Sequence, residues 1–358
     1  MRICFLEGDM SRAGGTERMT AWLANGLVGK YEVSVVSLAQ QGELFYTLNA
    51  GVDYRTVPEQ TLWKRIRWIN RYLRRNAVDW VVNVDVGMGF YGILAAWGTG
   101  ARVITWEHGN FCNNWNSRLF PYFRRFAARF SDALVVLTNR DRENYARHIR
   151  RCAPIHVIPN PVGDCGPAYD PGNRMILSAG HLLLNKGFHR AVEVAAAVLP
   201  DRPDWRWIIC GEGPERNRLE AMIRERGLED RVLLPGLVKD MESMYRRAAM
   251  VVLTSDLEGL PMVLLEGKAR RLPLVAFDIM TGPSEIIRDG TDGILIPAFD
   301  LDGMAREIGR LMDSEELRST MAAAAGEDLT RFSEDAVLNQ WHGIFGYKLV
   351  NTGNNYNL

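Results

Sequence analysis

The sequence lacks both a net charge and a long apolar run. Its 358 residues include 43 lysines and arginines against 43 aspartates and glutamates. No apolar stretch approaches the roughly 20 residues that a membrane-spanning helix requires. The opening residues, MRICFLEGDM, place acids where a secretory signal would be apolar. We therefore expect a cytoplasmic protein without a transmembrane segment.

Cysteine is scarce as well. The chain has five scattered cysteines, an odd number: Cys4, Cys112, Cys152, Cys165 and Cys210. Two of them, Cys4 and Cys210, stand inside apolar strand-like runs, where a thiol packs as a small hydrophobe. The pattern predicts reduced thiols and no disulfide framework.

The zero net charge conceals an asymmetry between the two halves of the chain. Residues 1–170 hold 21 basic and 15 acidic side chains, whereas residues 171–358 hold 22 and 28. The halves therefore carry +6 and −6, and such an imbalance hints at a charged partner for one of them. Nucleic acid is not expected as that partner, because one half is acidic and no binding motif is present.

Two segments of the basic half combine cations with aromatics. Segment 63–76 (WKRIRWINRYLRRN) has six basic residues and no acid. At helical spacing its cations form one stripe beside Ile66, Ile69 and Leu73: Lys64, Arg67, Arg71 and Arg75. Segment 118–130 repeats the theme with the cations Arg124, Arg125 and Arg129 and the aromatics Phe120, Tyr122 and Phe123 among its residues. Such helices suit anionic lipids, so we hypothesise a peripheral contact with the cytoplasmic face of the inner membrane. Two ordinary surface helices are the alternative.

Short apolar runs alternate with segments of helical period along the whole chain. Strands are predicted at 3–6, 33–38, 80–84, 103–106, 133–137, 175–179, 207–210, 232–234, 250–253 and 274–277. Helices are predicted between them, for example at 16–27, 190–199, 216–226 and 302–312. This alternation indicates an α/β protein with parallel sheets, and the length suffices for two doubly wound domains. Ligands of such domains bind at the carboxyl ends of the strands, here in the cleft between them.

The domain boundary is expected at 158–173. This segment contains four prolines: Pro159, Pro161, Pro167 and Pro171. Because proline and glycine interrupt regular structure, we assign the first domain to residues 1–160 and the second to residues 173–331.

The most informative stretch is 255–266 (SDLEGLPMVLLE), in which Glu258 and Glu266 stand eight positions apart. The turn before Pro261 gives way to a helix that this proline can start, because its missing N–H would have no partner at the first helical position. Free amides around Gly259, Leu260 and Met262 would then favour an anion. A negative ligand with hydroxyls on both sides of its charge fits this arrangement, and a nucleotide-sugar has that form.

This stretch resembles the E-x7-E signature of retaining glycosyltransferases of family 4, which have the two-domain GT-B fold. Further blocks match the family in the expected order along nearly the whole chain: GGTER at 14–18, WEHGN at 106–110, IICGEGP at 208–214, LPG at 234–236 and DIMTGPSEIIRDGTDGILIP at 278–297. The resemblance implies two Rossmann-like domains facing across a cleft, with acceptor bound by the first and donor by the second. It also implies that a last helix, at about 332–350, crosses back onto the first domain.

The resemblance also assigns roles on the donor side. It implies that Glu266 accepts hydrogen bonds from the ribose hydroxyls, that Glu258 approaches the donor sugar, and that Lys186 contacts the diphosphate. His181 stands where the family more usually has an arginine, and a neutral imidazole supplies no full charge at pH 7. Two glycines of the strand-to-helix turn would let the backbone approach the nucleotide: Gly211 and Gly213.

On the acceptor side, Gly14 and Gly15 would present small residues and free amides opposite the donor phosphates. His108 follows a predicted strand and, by resemblance, sits beside the transferred sugar. Three asparagines of the following loop are candidates for hydrogen bonds to an acceptor sugar: Asn110, Asn113 and Asn114. No metal site is predicted, because the D-x-D-like pair Asp300 and Asp302 precedes a helix in the manner of an ordinary N-cap.

The resulting prediction is a retaining glycosyltransferase that moves a hexose or N-acetylhexosamine from a nucleotide-diphosphate sugar, UDP-linked by expectation, without a further cofactor. The acceptor would be a glycan or a polyprenyl-linked saccharide of surface polysaccharide or lipopolysaccharide synthesis. Two rivals stay open. A nucleotide-sugar epimerase of similar build needs no acceptor. A binding protein that has lost catalysis would be consistent with the unusual His181 and Gly267.

Overall fold

The computed structural model describes residues 1–113 and 117–346 and forms two parallel α/β domains. The first contains a seven-stranded sheet in the order β3-β2-β1-β4-β5-β6-β7. Its strands are β1 Arg2–Asp9, β2 Glu32–Ala39, β3 Val52–Thr56, β4 Trp80–Val84, β5 Arg102–Trp106, β6 Ala133–Val136 and β7 Ile155–Val157. Its helices are α1 Gly15–Leu27, α2 Leu62–Arg75, α3 Val86–Ala96, α4 Phe120–Phe130 and α5 Asn139–His148.

The second domain contains a six-stranded parallel sheet in the order β10-β9-β8-β11-β12-β13. Its strands are β8 Met175–Ala179, β9 Arg206–Cys210, β10 Val232–Gly236, β11 Met250–Leu253, β12 Leu274–Asp278 and β13 Gly293–Pro297. Its helices are α6 Phe188–Val198, α7 Arg216–Glu225, α8 Met241–Arg247, α9 Met262–Ala269, α10 Pro283–Ile286, α11 Leu301–Asp313 and α12 Glu315–Ala324. Two short 3-10 turns lie at Leu184–Lys186 and Leu329–Phe332.

The strand order places a crevice in each sheet. The chain leaves β1 toward β2 on one side and returns as β4 on the other, and β8 stands in the same way between β9 and β11. The central strands are buried apolar runs because helices cover both faces of a parallel sheet. The loops after β1, β5, β8 and β11 therefore converge on one region between the domains.

The last described helix, α13 (Glu334–Gly346), packs on the first domain. Trp341 lies 4.9 Å from the Trp106 ring, and Phe345 lies 6.0 Å from the ring of Trp80. Trp22 of α1 donates from Nε1 to Glu334 at 2.9 Å. The final part of the predicted helix, residues 347–350, lies outside the described residues.

The two-domain α/β prediction is confirmed, and strands β4, β8 and β11 have the predicted limits. One local prediction is wrong: Pro261 is the N-cap of α9 with an extended conformation (ψ 107°), and the helix begins one residue later. All five cysteines are free thiols. Within residues 1–113 and 117–346, no helix is both long and apolar enough to cross a bilayer.

Candidate active site

The loop before α9 is tightly packed against its neighbours. A Cβ on Gly259 would lie 2.3 Å from the carbonyl oxygen of His108, and one on Gly282 would lie 2.7 Å from Cδ of Pro261. The carbonyl of Glu258 accepts from the Thr281 hydroxyl at 2.5 Å. These contacts fix the turn that leads into α9, so the amides at the start of the helix have a defined direction.

Glu258 and Lys186 come together at this turn. Lys186 Nζ lies 2.7 Å from Glu258 Oε1, and the Ser255 hydroxyl donates to the same oxygen at 2.7 Å. The exposed fraction is 26% for the lysine side chain and 10% for the glutamate, so the pair faces a partly open space. A cation that is held at the start of a helix can stabilise negative charge on a bound group.

Glu266 lies on α9 and faces the first domain. Arg18 of α1 donates from Nη1 to Glu266 Oε1 at 2.6 Å, and the Tyr245 hydroxyl donates to Oε2 at 2.6 Å. Arg270 lies over the Tyr245 ring at 4.4 Å and donates to the main-chain carbonyl of Glu266. The carboxylate therefore lies between the two domains, where it can accept two hydrogen bonds from adjacent donors.

His108 follows β5, and its ring lies against that of Trp106, with centroids 4.1 Å apart and the ring planes tilted by 50°. Its Nε2 is buried and has no hydrogen-bond partner among the described residues. Burial lowers the pKa of His108 to about 3, so its imidazole is neutral at pH 7. A neutral imidazole can accept or donate a hydrogen bond but adds no positive charge to the site.

The glycine turn after β9 has a packing role in the structure. A Cβ on Gly211 would lie 1.9 Å from the carbonyl oxygen of Gly180, and one on Gly213 would lie 2.5 Å from that of Leu182. His181 stands in the loop after β8 and is exposed, with Nδ1 3.3 Å from the Glu212 carbonyl oxygen. The three predicted residues thus lie together where the loops after β8 and β9 cross.

Gly14 and Gly15 lie at the start of α1, as the sequence predicts, but a carboxylate already lies there. A Cβ on Gly14 would lie 2.1 Å from Glu17 Oε2, and Glu17 is 1% exposed. The Thr16 hydroxyl donates to the same carboxylate at 2.7 Å. Negative charge therefore already occupies the side of Gly14, and the predicted contact of these glycines with donor phosphates stays a prediction.

The two basic helices differ in what they expose. On α2 the cationic stripe is exposed and Ile66, Ile69 and Leu73 are buried, as predicted. On α4 the prediction is wrong for Arg124, which is 3% exposed. Its guanidinium donates to the carbonyl oxygens of Asn110 and Asn113, in the loop after β5. Burial of these two carbonyl groups without a hydrogen-bond donor would cost free energy, and Arg124 supplies the donor.

Several residues of this region were not assigned roles from the sequence. Arg18 belongs to the GGTER block, and Tyr245 stands in a helix with no motif of its own. Glu107 is 1% exposed, and its pKa is raised to about 8 by burial and by Asp85, against the opposing charge of Arg124.

Of the asparagines predicted for the acceptor side, Asn110 donates from Nδ2 to the Glu258 carbonyl oxygen at 2.7 Å, and this hydrogen bond joins the two domains. Asn114 lies outside the described residues. Asp300 caps α11 through the Gly303 amide at 2.9 Å, as predicted.

Comparison with known proteins places both halves of the chain. A model described as Glycosyltransferase Family 4 matches residues 13–163, and one described as Glycosyl transferases group 1 matches residues 167–328. The chain is 27% identical over 356 residues to the amylovoran biosynthesis glycosyltransferase AmsD of Erwinia amylovora, covering 96% of this chain and 99% of that protein.

Two further similarities differ in extent. A stretch of 217 residues, 60% of this chain, is 39% identical to the exopolysaccharide phosphotransferase SCO2592 of Streptomyces coelicolor, and this stretch spans 23% of that protein. The apo structure of the lipopolysaccharide outer core galactosyltransferase WaaB is similar with a TM-score of 0.77 over 96% of this chain and 99% of that one. At 20% identity, this likeness concerns the fold.

The two parallel α/β domains meet near Glu258 and Glu266, and glycosyltransferase models match both halves of the chain, so the protein is a glycosyltransferase of GT-B fold. The chain belongs to family 4 of the glycosyltransferases, as the ordered motifs predicted.

Proposed function

We propose that this glycosyltransferase retains the anomeric configuration of its donor, needs no metal ion, and transfers a hexose or N-acetylhexosamine from a UDP-sugar. The observation that carries the proposal is the position of Lys186, Glu258 and Glu266 around the start of α9, at the junction of the domains. A diphosphate at this helix start would meet both free amides and the Lys186 ammonium.

Each side chain has a chemical task in this proposal. The Glu266 carboxylate accepts hydrogen bonds from the two ribose hydroxyls, which replace the hydrogen bond that Arg18 donates to it. Lys186 leaves Glu258 for the diphosphate and stabilises the charge that builds there as the glycosidic bond breaks. The acceptor oxygen bonds to the anomeric carbon on the face from which the diphosphate departs, and its proton passes to the departing phosphate oxygen. The product therefore keeps the anomeric configuration of the donor. Neutral His108 lies by the sugar as a hydrogen-bonding partner.

The acceptor in this proposal is a glycan or a lipid-linked saccharide of surface polysaccharide synthesis. Support comes from the full-length likeness to AmsD, which is named for amylovoran biosynthesis. Loops that follow strands of the first domain, with Asn110 and His108, are the proposed acceptor side.

Donor binding tests the site directly. We expect Glu266→Ala to weaken binding of UDP-sugar at least about 100-fold, because two charge-assisted hydrogen bonds contribute roughly 1.5–3 kcal/mol each. Lys186→Ala should lower transfer more than binding. Two exposed residues of the same domain serve as controls, Glu225→Ala and Lys239→Ala. Unchanged donor binding in both site variants, measured by thermal shift against UDP-, GDP- and ADP-sugars, would refute the site.

The reaction class needs separate assays. We expect the anomeric signal of the product, followed by nuclear magnetic resonance, to keep the configuration of the donor, and transfer to persist in excess EDTA. An inverted product or loss of activity with EDTA would contradict the corresponding part of the proposal. Epimerised nucleotide-sugar without transfer would favour the epimerase alternative.

We also propose that the first domain contacts anionic lipids through α2. Its exposed cations stand beside Trp63, which is 69% exposed, and α4 adds Tyr122 at 66% and Phe130 at 57%. Each cation near an anionic surface contributes about 1 kcal/mol. At low salt the wild type should sediment with phosphatidylglycerol vesicles, whereas the double variant Lys64→Glu/Arg71→Glu should stay in the supernatant. Arg224→Glu, in the second domain, is the control and should sediment like the wild type. Equal sedimentation of all variants would contradict this contact.

A further inference from the structure

The loop between β5 and α4 contains a buried acid that the proposed chemistry does not use. We refer to residues 107–113 as the acceptor loop. Glu107, at its start, accepts from the Gly109 amide through Oε1 at 3.0 Å and from the Tyr145 hydroxyl through Oε2 at 2.6 Å. Arg124 Nε lies 3.7 Å from the same Oε2. Glu107 thus links the turn of its own loop to α5 and α4.

The rest of the acceptor loop is held from the same two helices. The Phe111 amide donates to Asp141 of α5 at 2.7 Å, and Arg124 of α4 donates to the Asn110 and Asn113 carbonyls. A buried polar network of this kind is stabilising only when its members are paired. Loss of one acceptor therefore leaves its donors unpaired and weakens the hold on the loop. Three side chains from two helices therefore fix a seven-residue segment.

The loop that they fix touches the donor side. Asn110 donates to the Glu258 carbonyl at 2.7 Å, and the same carbonyl accepts from Thr281. Gly259 packs on the carbonyls of His108 and Gly109 so closely that a Cβ would lie 2.3 and 2.5 Å from them. The position of the turn at residues 107–110 therefore sets the position of the Glu258 turn relative to the first domain.

We propose that Glu107 is a positioning residue: by holding the Gly109 amide and the Tyr145 hydroxyl, it aligns His108 and Asn110 of the acceptor loop with the Glu258 turn. The expected effect of Glu107 on sugar transfer rests on the proposed function. Its effect on the position of the acceptor loop is independent of that function. Glu107 itself is 1% exposed, and its carboxylate contacts Gly109, Tyr145 and Arg124.

Three variants test the role. Glu107→Ala removes both acceptors, Glu107→Gln keeps an oxygen for the Gly109 amide, and Tyr145→Phe removes one donor only. Glu143→Gln, an exposed acid on the same helix as Tyr145, is the matched control. Hydrogen exchange in peptides that cover residues 106–113 should quicken in Glu107→Ala, less in Tyr145→Phe, and not in Glu143→Gln.

Transfer kinetics then separate positioning from a general loss of fold. We expect kcat of Glu107→Ala to fall about 10- to 100-fold, as misplacement of reacting groups by about 1 Å costs up to 10²-fold, while the Kd for UDP stays within about twofold. Glu107→Gln should recover most of kcat. The effect of Glu107→Ala should shrink in an Asn110→Ala background, because coupled sites are not additive.

The outcomes are decisive for the proposal. Unchanged exchange in Glu107→Ala, unchanged kcat, or additive effects with Asn110→Ala would overturn it, and so would a loss of UDP binding in step with kcat. A wild type that transfers no sugar would instead count against the proposed function, and the exchange data would still decide whether Glu107 holds the loop.

Discussion

Glu7 is a buried acid at the end of β1 whose ionisation opposes folding. Burial raises its pKa to about 8, and Glu17 adds to the shift, whereas hydrogen bonds from Gly8 and Thr20 oppose it. Between the unfolded pKa of 4.5 and the folded pKa of about 8, the native state keeps a proton that the unfolded chain has lost. Stability therefore falls as pH rises through this range, by about 1.4 kcal/mol per unit at most.

We expect Glu7→Gln to remove this contribution. The amide can still accept from the Gly8 amide and donate to the Thr20 hydroxyl, so the fold should persist. Urea unfolding midpoints at pH 5, 6.5 and 8 should fall less with pH in the variant than in the wild type, and Glu43→Gln, an exposed acid, should follow the wild type. Parallel midpoints in all three proteins would show that Glu7 does not ionise in this range.

At the scale of the residue, the sequence predicts which residues come close together better than it predicts their hydrogen-bond partners. The spacing of Glu258 and Glu266 and the position of Lys186 are local properties, and the structure brings all three to one region. The bond of Glu266 with Arg18 joins residues 248 positions apart, and no periodicity encodes it. The same holds for Arg124, whose burial depends on carbonyls of another segment.

Among the elements, the junction between the 3-10 turn and α6 positions Lys186, and it depends on Gly187. Gly187 is the C-cap of the 3-10 turn and the N-cap of α6, with φ 66°, and a Cβ there would lie 2.0 Å from the Thr254 carbonyl oxygen. Gly227 after α7 has a similar φ of 63° but open space around its Cβ position. A comparison of substitutions at Gly187 and Gly227 therefore distinguishes the cost of the left-handed conformation from the cost of a steric clash.

We expect Gly227→Ala to lower the free energy of unfolding by roughly 1–2 kcal/mol, the cost of a left-handed non-glycine residue. Gly187→Ala should cost about twice as much or more, because the Thr254 main chain must also move. It should weaken UDP-sugar binding through Lys186, and Gly227→Ala should not. Thermal unfolding and donor binding of both variants check this, and equal costs would contradict the steric argument.

The strands also show where local pattern is insufficient. Strands with continuous buried runs, such as β4 and β11, were predicted with their limits. Three strands were not: β3 (VDYRT), β7 (IHV) and β13 (GILIP). Each lies at an edge of its sheet, where partial exposure allows polar residues, and β13 contains glycine and proline. The short length of β7 leaves no period to detect.

Across the whole molecule, the contacts that join the domains include two sets of hydrogen bonds. One is at the proposed donor site, through Arg18 and Asn110. The other lies at the start of α5, where Glu285 of the second domain accepts from the amides of Asn139 at 2.7 Å and Arg140 at 3.2 Å. A carboxylate at a helix N-terminus is stabilising, so Glu285 favours the arrangement in which the domains are together.

We expect Glu285→Ala to shift the protein toward a more open arrangement. Loss of roughly 1–2 kcal/mol at this helix start would change the ratio of open to closed molecules about 5- to 30-fold. Small-angle scattering should then report a larger radius of gyration without ligand, and saturating UDP should reduce the difference. Glu316→Ala removes an acid from the first turn of α12 within one domain and is the control for a purely local loss. The same radius for both variants and the wild type would mean that the contacts around Glu258 and Glu266 suffice to keep the domains together.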